Sequence, residues 1–528
     1  MNLRYSCFCV AMCVTSVNHA LKVDSLLLDQ LNYKIELQTT VGDGRHNSLW
    51  LNANKYGLSS LESYNGYLRA AAERPLSLDD HRRWGFGYCL DVAAATHFTS
   101  KLIVQQAYVE GRWLKGTFSI GSKQQPMEMK DAELSSGSQT LGKNARPIPE
   151  ARLALRDYWT VPYTKGWLSL KGHLSFGKTT DNKWQRDFTS QASKYTQNTW
   201  IHTKAAYLKI ENKDRLKALS FELGLEMAAQ YGGISYNVSA VEGGSQSYIV
   251  NEGGLLGAWH ALTLSGSDEP EKIYKNVSGN QLGSWLARVN FDYDNWSMAF
   301  YLDHYFEDHS QLYFLGTNGY GEDGDWRKRQ SSSVFLYAFK DMMLGGELKL
   351  KKGHWLRGIV LEYLYTKYQS GPIYHDHTEN LYSQISGNDN YYNHSIFTGW
   401  QHWGQVMGNP LYTSPLYNDN GTIVIQNNRF VAWHLGFNGN PVPYLHFRVL
   451  ATYEKGYGTY ESPFDDPREN FSLLAELSYH FHQCQLLQGW GVTFSLGLDR
   501  GQLLGNNTAG QFTITKTGIF SYLKKNSN

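Results

Sequence analysis

The sequence predicts an all-β protein: a transmembrane antiparallel β-barrel of about 16–18 strands, with a short N-terminal helical plug segment. Three observations predict it. Long runs alternate apolar and polar residues without a break, full charges sit in the middle of the polar face, and short turns alternate with long loops.

Residues 489–499, GWGVTFSLGLD, set Trp490, Val492, Phe494, Leu496 and Leu498 against Gly491, Thr493, Ser495, Gly497 and Asp499. In 217–230, Leu219, Phe221, Leu223, Leu225 and Met227 alternate with Ser220, Glu222, Gly224, Glu226 and Ala228. Segments 444–454 and 295–307 have the same period of two. A sandwich strand averages about 5–6 residues, whereas about 10 tilted residues are needed to span a bilayer. Mid-strand charges suit a polar lumen. Further strands are expected at 84–98, 102–112, 114–122, 150–160, 167–177, 199–210, 281–293, 355–367, 428–438, 471–481 and 511–522. If SVFLYAFKDMMLGGELKLK, 333–351, is one bulged strand, the count is sixteen. Long polar loops fall at 123–149, 232–280, 308–332 and 370–421, and turns such as Asp294-Asn295 are short, as in outer-membrane barrels. The terminal run QFTITKTGIFSYLKKNSN puts Phe512, Ile514, Phe520 and Tyr522 on one face, as a closing strand would.

The first twenty residues carry one early positive charge, Arg4, an apolar stretch from Tyr5 to Val14, and Ala20, so they read as a secretory signal peptide. Residues 48–80 lack alternation; Ser59 or Ser60 is expected to cap a helix over Leu61 to Ala72 before Pro75. The expected organisation is therefore a signal at 1–20, an N-terminal segment with the helical plug at 21–82, the barrel at 83–522 and a tail at 523–528.

A net charge of +1 gives no footprint for nucleic acid, and beyond the leader no run of about 18 apolar residues marks a membrane-crossing helix. Beyond the leader only Cys89 and Cys484 remain, one on a strand and one in a turn, and no disulfide between them is expected.

Three stretches carry a resemblance when taken in order: LGKNARPIPEARLALRDYWTVPYTKGWLSLKGH (141–173), SFELGLEMAAQYGG (220–233) and TGWQHWGQVMGNPLYTSPLYN (398–418). Together they resemble the Wzi family of capsule-assembly proteins in its Bacteroides-type form, over about residues 45 to 520. The resemblance implies an outer-membrane barrel, monomeric, whose periplasmic mouth is plugged by N-terminal helices and which acts as a surface lectin for capsular polysaccharide. It implies no enzymatic activity and no cofactor.

Saccharide recognition needs flat aromatic faces for the C–H side of sugar rings, with amide, carboxylate and guanidinium groups for the hydroxyls. Loop 370–421 supplies Trp400, Gln401, His402, Trp403, Asn409 and Tyr412, and Arg146 and Arg152 are expected near a mouth or in the lumen. The alternative roles are packing of the tryptophans against the wall, and pairing of the arginines with Glu222 or Glu226. HDHTE at 375–379, near His394, lacks a fixed third ligand and is read as solvated rather than metal-binding. In LDHYFEDH at 302–309, alternation sends His304 away from Asp303 and Glu307, so no triad forms. An oligosaccharide porin or exporter is the other function in play, distinguished by an open lumen.

Overall fold

The computed structural model describes residues 30–520 apart from 239–247, 267–277, 308–317, 321–328, 332–340, 353–354, 375–384 and 483–484. The expected signal and tail, the HDHTE stretch and Cys484 lie outside the described residues. Cys89 is a buried free thiol.

Eighteen strands form one sheet. In chain order they are β1 (Leu31–Asp43), β2 (Tyr64–Arg74), β3 (Trp84–Thr96), β4 (Leu102–Trp113), β5 (Gly116–Ser122), β6 (Pro149–Thr160), β7 (Leu168–Lys178), β8 (Trp200–Glu211) and β9 (Leu219–Tyr231). The second half comprises β10 (Asn280–Asp292), β11 (Trp296–Glu307), β12 (Met342–Leu350), β13 (Leu356–Tyr365), β14 (Phe430–Val442), β15 (Leu445–Gly458), β16 (Pro463–His480), β17 (Trp490–Gly501) and β18 (Asn507–Phe520). Each strand pairs antiparallel with its sequence neighbour. β1 closes on β18, from Leu31 opposite Phe520 to Asp43 opposite Thr508. Closure leaves no edge with unpaired backbone groups, the condition for a sheet to cross hydrocarbon.

All sixteen expected strands are present. The two additional ones, β1 and β2, come from the segment read as a plug, so the wall begins at Leu31 and not at residue 83. The helix expected over Leu61 to Ala72 is instead mostly β2. Tyr64, Leu68, Ala70 and Ala72 face outward and Asn65, Tyr67, Arg69 and Glu73 inward. Arg69 binds the Asp91 and Glu36 carboxylates in the lumen. Alanine prefers helix in isolation, but ladders to both neighbouring strands override that preference in a membrane wall. The stretch 333–351 contributes the single strand β12, with 332–340 outside the described residues.

Loops after odd-numbered strands leave one end of the barrel. They include 44–63, 123–148, 179–199, 232–279 and 366–429, whereas β4–β5 and β14–β15 at the other end turn through two residues each, Leu114-Lys115 and Pro443-Tyr444 in sequence position. Exposed aromatics collar both ends of the outer face. Trp84, Trp113, Trp355 and Tyr444 mark the short-turn end, and Tyr64, Trp200, Trp433 and Tyr453 the long-loop end. Between them the outward face is apolar, with Phe221, Leu223, Phe300 and Leu361 exposed. This is the lipid-facing band and double girdle of an outer-membrane barrel. Among the described residues no helix is long and apolar enough to cross a membrane. The strands make the crossing.

The long-loop half of the interior is filled. Loops 44–63, 123–148 and 389–429 fold into the lumen from the long-loop end and share a core containing Trp50, Leu134, Tyr392, Trp400 and Tyr412. The implied closure of the periplasmic mouth by N-terminal helices is not what the described residues show: before β3 the helical elements are one buried turn, α1 (Leu49–Asn52), anchored where the Leu49 amide donates to the Asp499 carboxylate, and one 3-10 turn, Leu76–Asp79, in the β2–β3 connection.

Candidate functional site

The stretch around Trp400 folds because its sequence encodes a hairpin inside a loop. Gln401-His402 pairs with Gln405-Val406, and Trp403 (φ 56°) and Gly404 (φ 76°) form the two-residue turn with both in the left-handed region. A Cβ at residue 404 would come within 2.5 Å of the Trp184 ring of α2 (Trp184–Phe188), so glycine is required there. Trp403 bears the cost of a left-handed backbone without that exemption.

Most of the predicted saccharide-contacting side chains are engaged in holding this hairpin down. Trp400 is buried and its Nε1 donates to the Thr140 carbonyl at 3.0 Å. Gln401 accepts from the Gly404 amide. His402 donates from Nδ1 to the Arg146 carbonyl at 2.9 Å and accepts from the Thr180 amide at Nε2, a tautomer fixed by those partners. Burial holds this imidazole down to about 4, so it is neutral at physiological pH. Asn409 donates to the Gly137 carbonyl, and the Tyr412 hydroxyl to Gln139 Oε1. Four of these partners, Gly137, Gln139, Thr140 and Arg146, lie on loop 123–148, so the two loops form one body.

Loop 123–148 is in turn latched to the wall by three buried carboxylates. Glu362 of β13 accepts from the Ser135 hydroxyl at 2.6 Å and the Ser136 amide at 2.8 Å. Asp303 of β11 pairs with Lys130 at 2.8 Å and accepts from the Gln139 amide. Glu226 of β9 accepts from the Leu141 amide and from Tyr207 of β8. Near the short-turn end of the lumen the loop carries Glu133, which accepts from Asn438 and lies 3.6 Å from His446. The His446 contact holds that carboxyl down to about 2.

Between this loop and the wall of β6–β9 lies a cavity of about 130 Å³. Trp400, Arg146 and Arg152 all line it, with Glu150, His173 and Thr203. Three of the eight residues singled out in the sequence therefore converge. Neither arginine pairs with Glu222 or Glu226 as the alternative expectation had it. Arg152 binds Glu150 at 3.2 Å, and Glu222 accepts from Tyr158. Arg146 lies over the Trp403 ring, 4.3 Å from its centroid, and donates from Nη2 to Thr99. Its Nε is buried without a partner, and among the described residues no carboxylate lies within ion-pairing distance. Burial without a counter-charge lowers this guanidinium to about 10, which leaves it cationic at neutral pH. Gln401, His402, Asn409 and Tyr412 do not reach the cavity.

The arrangement offers an unpaired cation, an aromatic face and a hydrogen-bonding wall. The barrel is similar to Wzi. In the comparison with solved structures, Wzi of Escherichia coli, an outer-membrane protein involved in group 1 capsule assembly and a carbohydrate-binding β-barrel, matches over 93% of this chain and 85% of its own, at 13% identity and a TM-score of 0.52. OccK2 (OpdF) of Pseudomonas aeruginosa also matches, over 93% of this chain and 98% of its own, at 8% identity and a TM-score of 0.44. No family model matches the sequence. No curated protein matches it either. At these identities the likeness is one of fold. With the girdled apolar wall, that fold places the protein in the outer membrane.

Sequence reasoning identified the hairpin loop but missed its partner. The signal was present in loop 123–148: its run SSGSQT is small and polar and is buried almost throughout. A buried run of that kind must find hydrogen-bond partners, and the inward carboxylates of the strands supply them. Asp303 points into the lumen to Lys130, while the His304 Nδ1–H donates to the Asp341 carbonyl on the other side of the wall, so these side chains do not meet, as alternation predicted. His394 is half-buried, and its Nδ1 accepts from the Ile396 amide.

Proposed function

We propose that this barrel binds capsular polysaccharide and holds it at the cell surface, a lectin-like role in capsule assembly with no covalent chemistry. The observation that carries the reading is the filled long-loop half of the lumen. Loops 44–63, 123–148 and 389–429 occupy the space a diffusing solute would need, and they leave a small cavity with an unpaired arginine and aromatic faces. The saccharide contacts assigned by this reading are Trp403, Arg146 and Arg152, with Trp400, Gln401, His402, Asn409 and Tyr412 as supports that fix the hairpin. Carbohydrate binding by Wzi fits the same reading.

A porin is the second reading. It is favoured by two further cavities of about 400 Å³ in the short-turn half of the lumen, one beside Lys34, Arg69 and Asp91 and one beside Glu110, Lys123 and Arg156. Purified barrel is added to a planar bilayer and, separately, titrated with capsular polysaccharide. Saturable glycan binding without steady ion conductance supports the lectin reading. Conductance without glycan binding overturns it in favour of the porin.

A further inference from the structure

The outward face of β9 changes character along its length. Near the short-turn end Leu223 is 51% exposed, as a lipid-facing residue should be; further along the same face Met227 is 4% and Ala229 1% exposed. What covers them is α3 (Gly254–Thr263, GLLGAWHALT) from the loop between β9 and β10. Ala261 and Ala258 pack with Ala229, Tyr231 and Phe176, and Leu264 just beyond the helix packs with Met227 and Phe306. These wall residues belong to the outer surface: their neighbours Glu226 and Ser175 point into the lumen. The helix therefore lies against the outside of the barrel and not over its mouth.

Its attachment is specific. Lys204 of β8, on the same outer face, donates to the carbonyls of Ala261 and Leu262 at the C-terminal end of the helix, beside the left-handed Leu264 cap that closes onto the His260 carbonyl. His260 bonds Glu252 at 2.6 Å, and a Cβ at Gly257 would meet the Tyr231 ring at 3.1 Å, so the small-residue face sets a close approach. With the small side chains against the protein, the large ones point away: Leu255 is 92% exposed, and Leu256 and Trp259 are exposed beside it at helical spacing. Such a face is unfavourable in water. It is continuous with the lipid-facing band below it and level with Trp200 of the long-loop girdle.

We propose that α3 is an interfacial helix whose Leu255, Leu256 and Trp259 insert into the acyl region of the outer leaflet, fixing the β9–β10 loop at the membrane surface. The occupant of the apolar face is lipid. This assignment does not depend on the polysaccharide reading.

The test uses the full chain with its own cysteines replaced by serine, labelled with an environment-sensitive fluorophore at Leu256→Cys and reconstituted into vesicles. Leu223→Cys on the wall and Asp214→Cys in a short turn serve as lipid and water references. Heat-modifiable migration in gels verifies that each barrel is folded. The expected result is quenching by doxyl-labelled lipid at residue 256 comparable to that at 223, with iodide quenching at least several-fold weaker than at 214. Strong iodide quenching at 256 with no lipid quenching overturns the proposal. Shielding from both quenchers, together with a dimer in detergent solution, also overturns it and assigns the face to a second copy.

Discussion

At the scale of single residues, the two tryptophans of the hairpin have separate roles that the sequence could not separate. Both sit in WQHWG, and only the turn geometry sends Trp400 into the core and Trp403 over Arg146. Trp400→Ala should cost about 3–5 kcal/mol, the range for truncating a buried aromatic, and lower the temperature at which the barrel unfolds in gel-shift assays. Trp403→Ala should leave that temperature nearly unchanged while weakening capsule retention, by about 1 kcal/mol for one lost stacking face. If Trp403→Ala instead unfolds the barrel and retains capsule normally, the division of roles is wrong. His402 makes a pH prediction whose sign follows from its folded value of about 4, below the unfolded value of about 6.5. Under 6.5 the unfolded chain binds the extra proton. The stabilisation is thus complete above pH 6.5 and lost as pH falls to 4, up to about 3 kcal/mol in total. His394, held at about 3 by burial, adds to the same window, and Glu133 adds only below its ordinary range. Melting of His402→Gln should accordingly depend less steeply on pH between 6.5 and 4 than that of the parent protein.

At the scale of elements, strands were legible where a regular apolar face met a polar one, and the plug was not. β1 is nearly as regular as β17: Tyr33, Ile35, Leu37 and Val41, interrupted by Thr39, alternate with Lys34, Glu36, Gln38 and Thr40. Reading 21–82 as a plug passes over it, and the alanines of β2 strengthen the wrong choice. Loop 123–148 was visible as a long loop, but its path was not, because its partners lie far away in sequence on β9, β11 and β13. Those latches can be tested singly. Lys130→Met leaves Asp303 buried without its counter-charge and should destabilise the barrel by about 3–5 kcal/mol, whereas Lys130→Met with Asp303→Leu should recover most of the loss. Melting of the two variants measures it. Equal destabilisation by both would show that the lysine acts through packing alone.

At the scale of the whole molecule, the wall and the plug are separable designs, because they are held by different interactions. The wall is closed by backbone ladders that run unbroken around eighteen strands, and its outer face needs only lipid. The plug is held by side-chain hydrogen bonds between inward loops and strand carboxylates, together with a polar-rimmed core. Replacing residues 127–145 by a short glycine-serine linker should therefore leave a folded barrel that still migrates faster unheated than boiled, while removing Thr140 and Gln139, the partners of Trp400 and Tyr412 on loop 389–429. With loop 123–148 gone and loop 389–429 released, the lumen should open. In planar bilayers the shortened protein should conduct ions in steps of constant size at conditions where the parent is silent, and it should lose capsule retention in the same cells. A folded, shortened barrel that stays silent would mean that loops 44–63 and 389–429 seal the lumen without loop 123–148. A parent that conducts as well as its shortened form would place the plug outside the solute path altogether, and the cavities beside Arg69 and Glu110 would then belong to a pore.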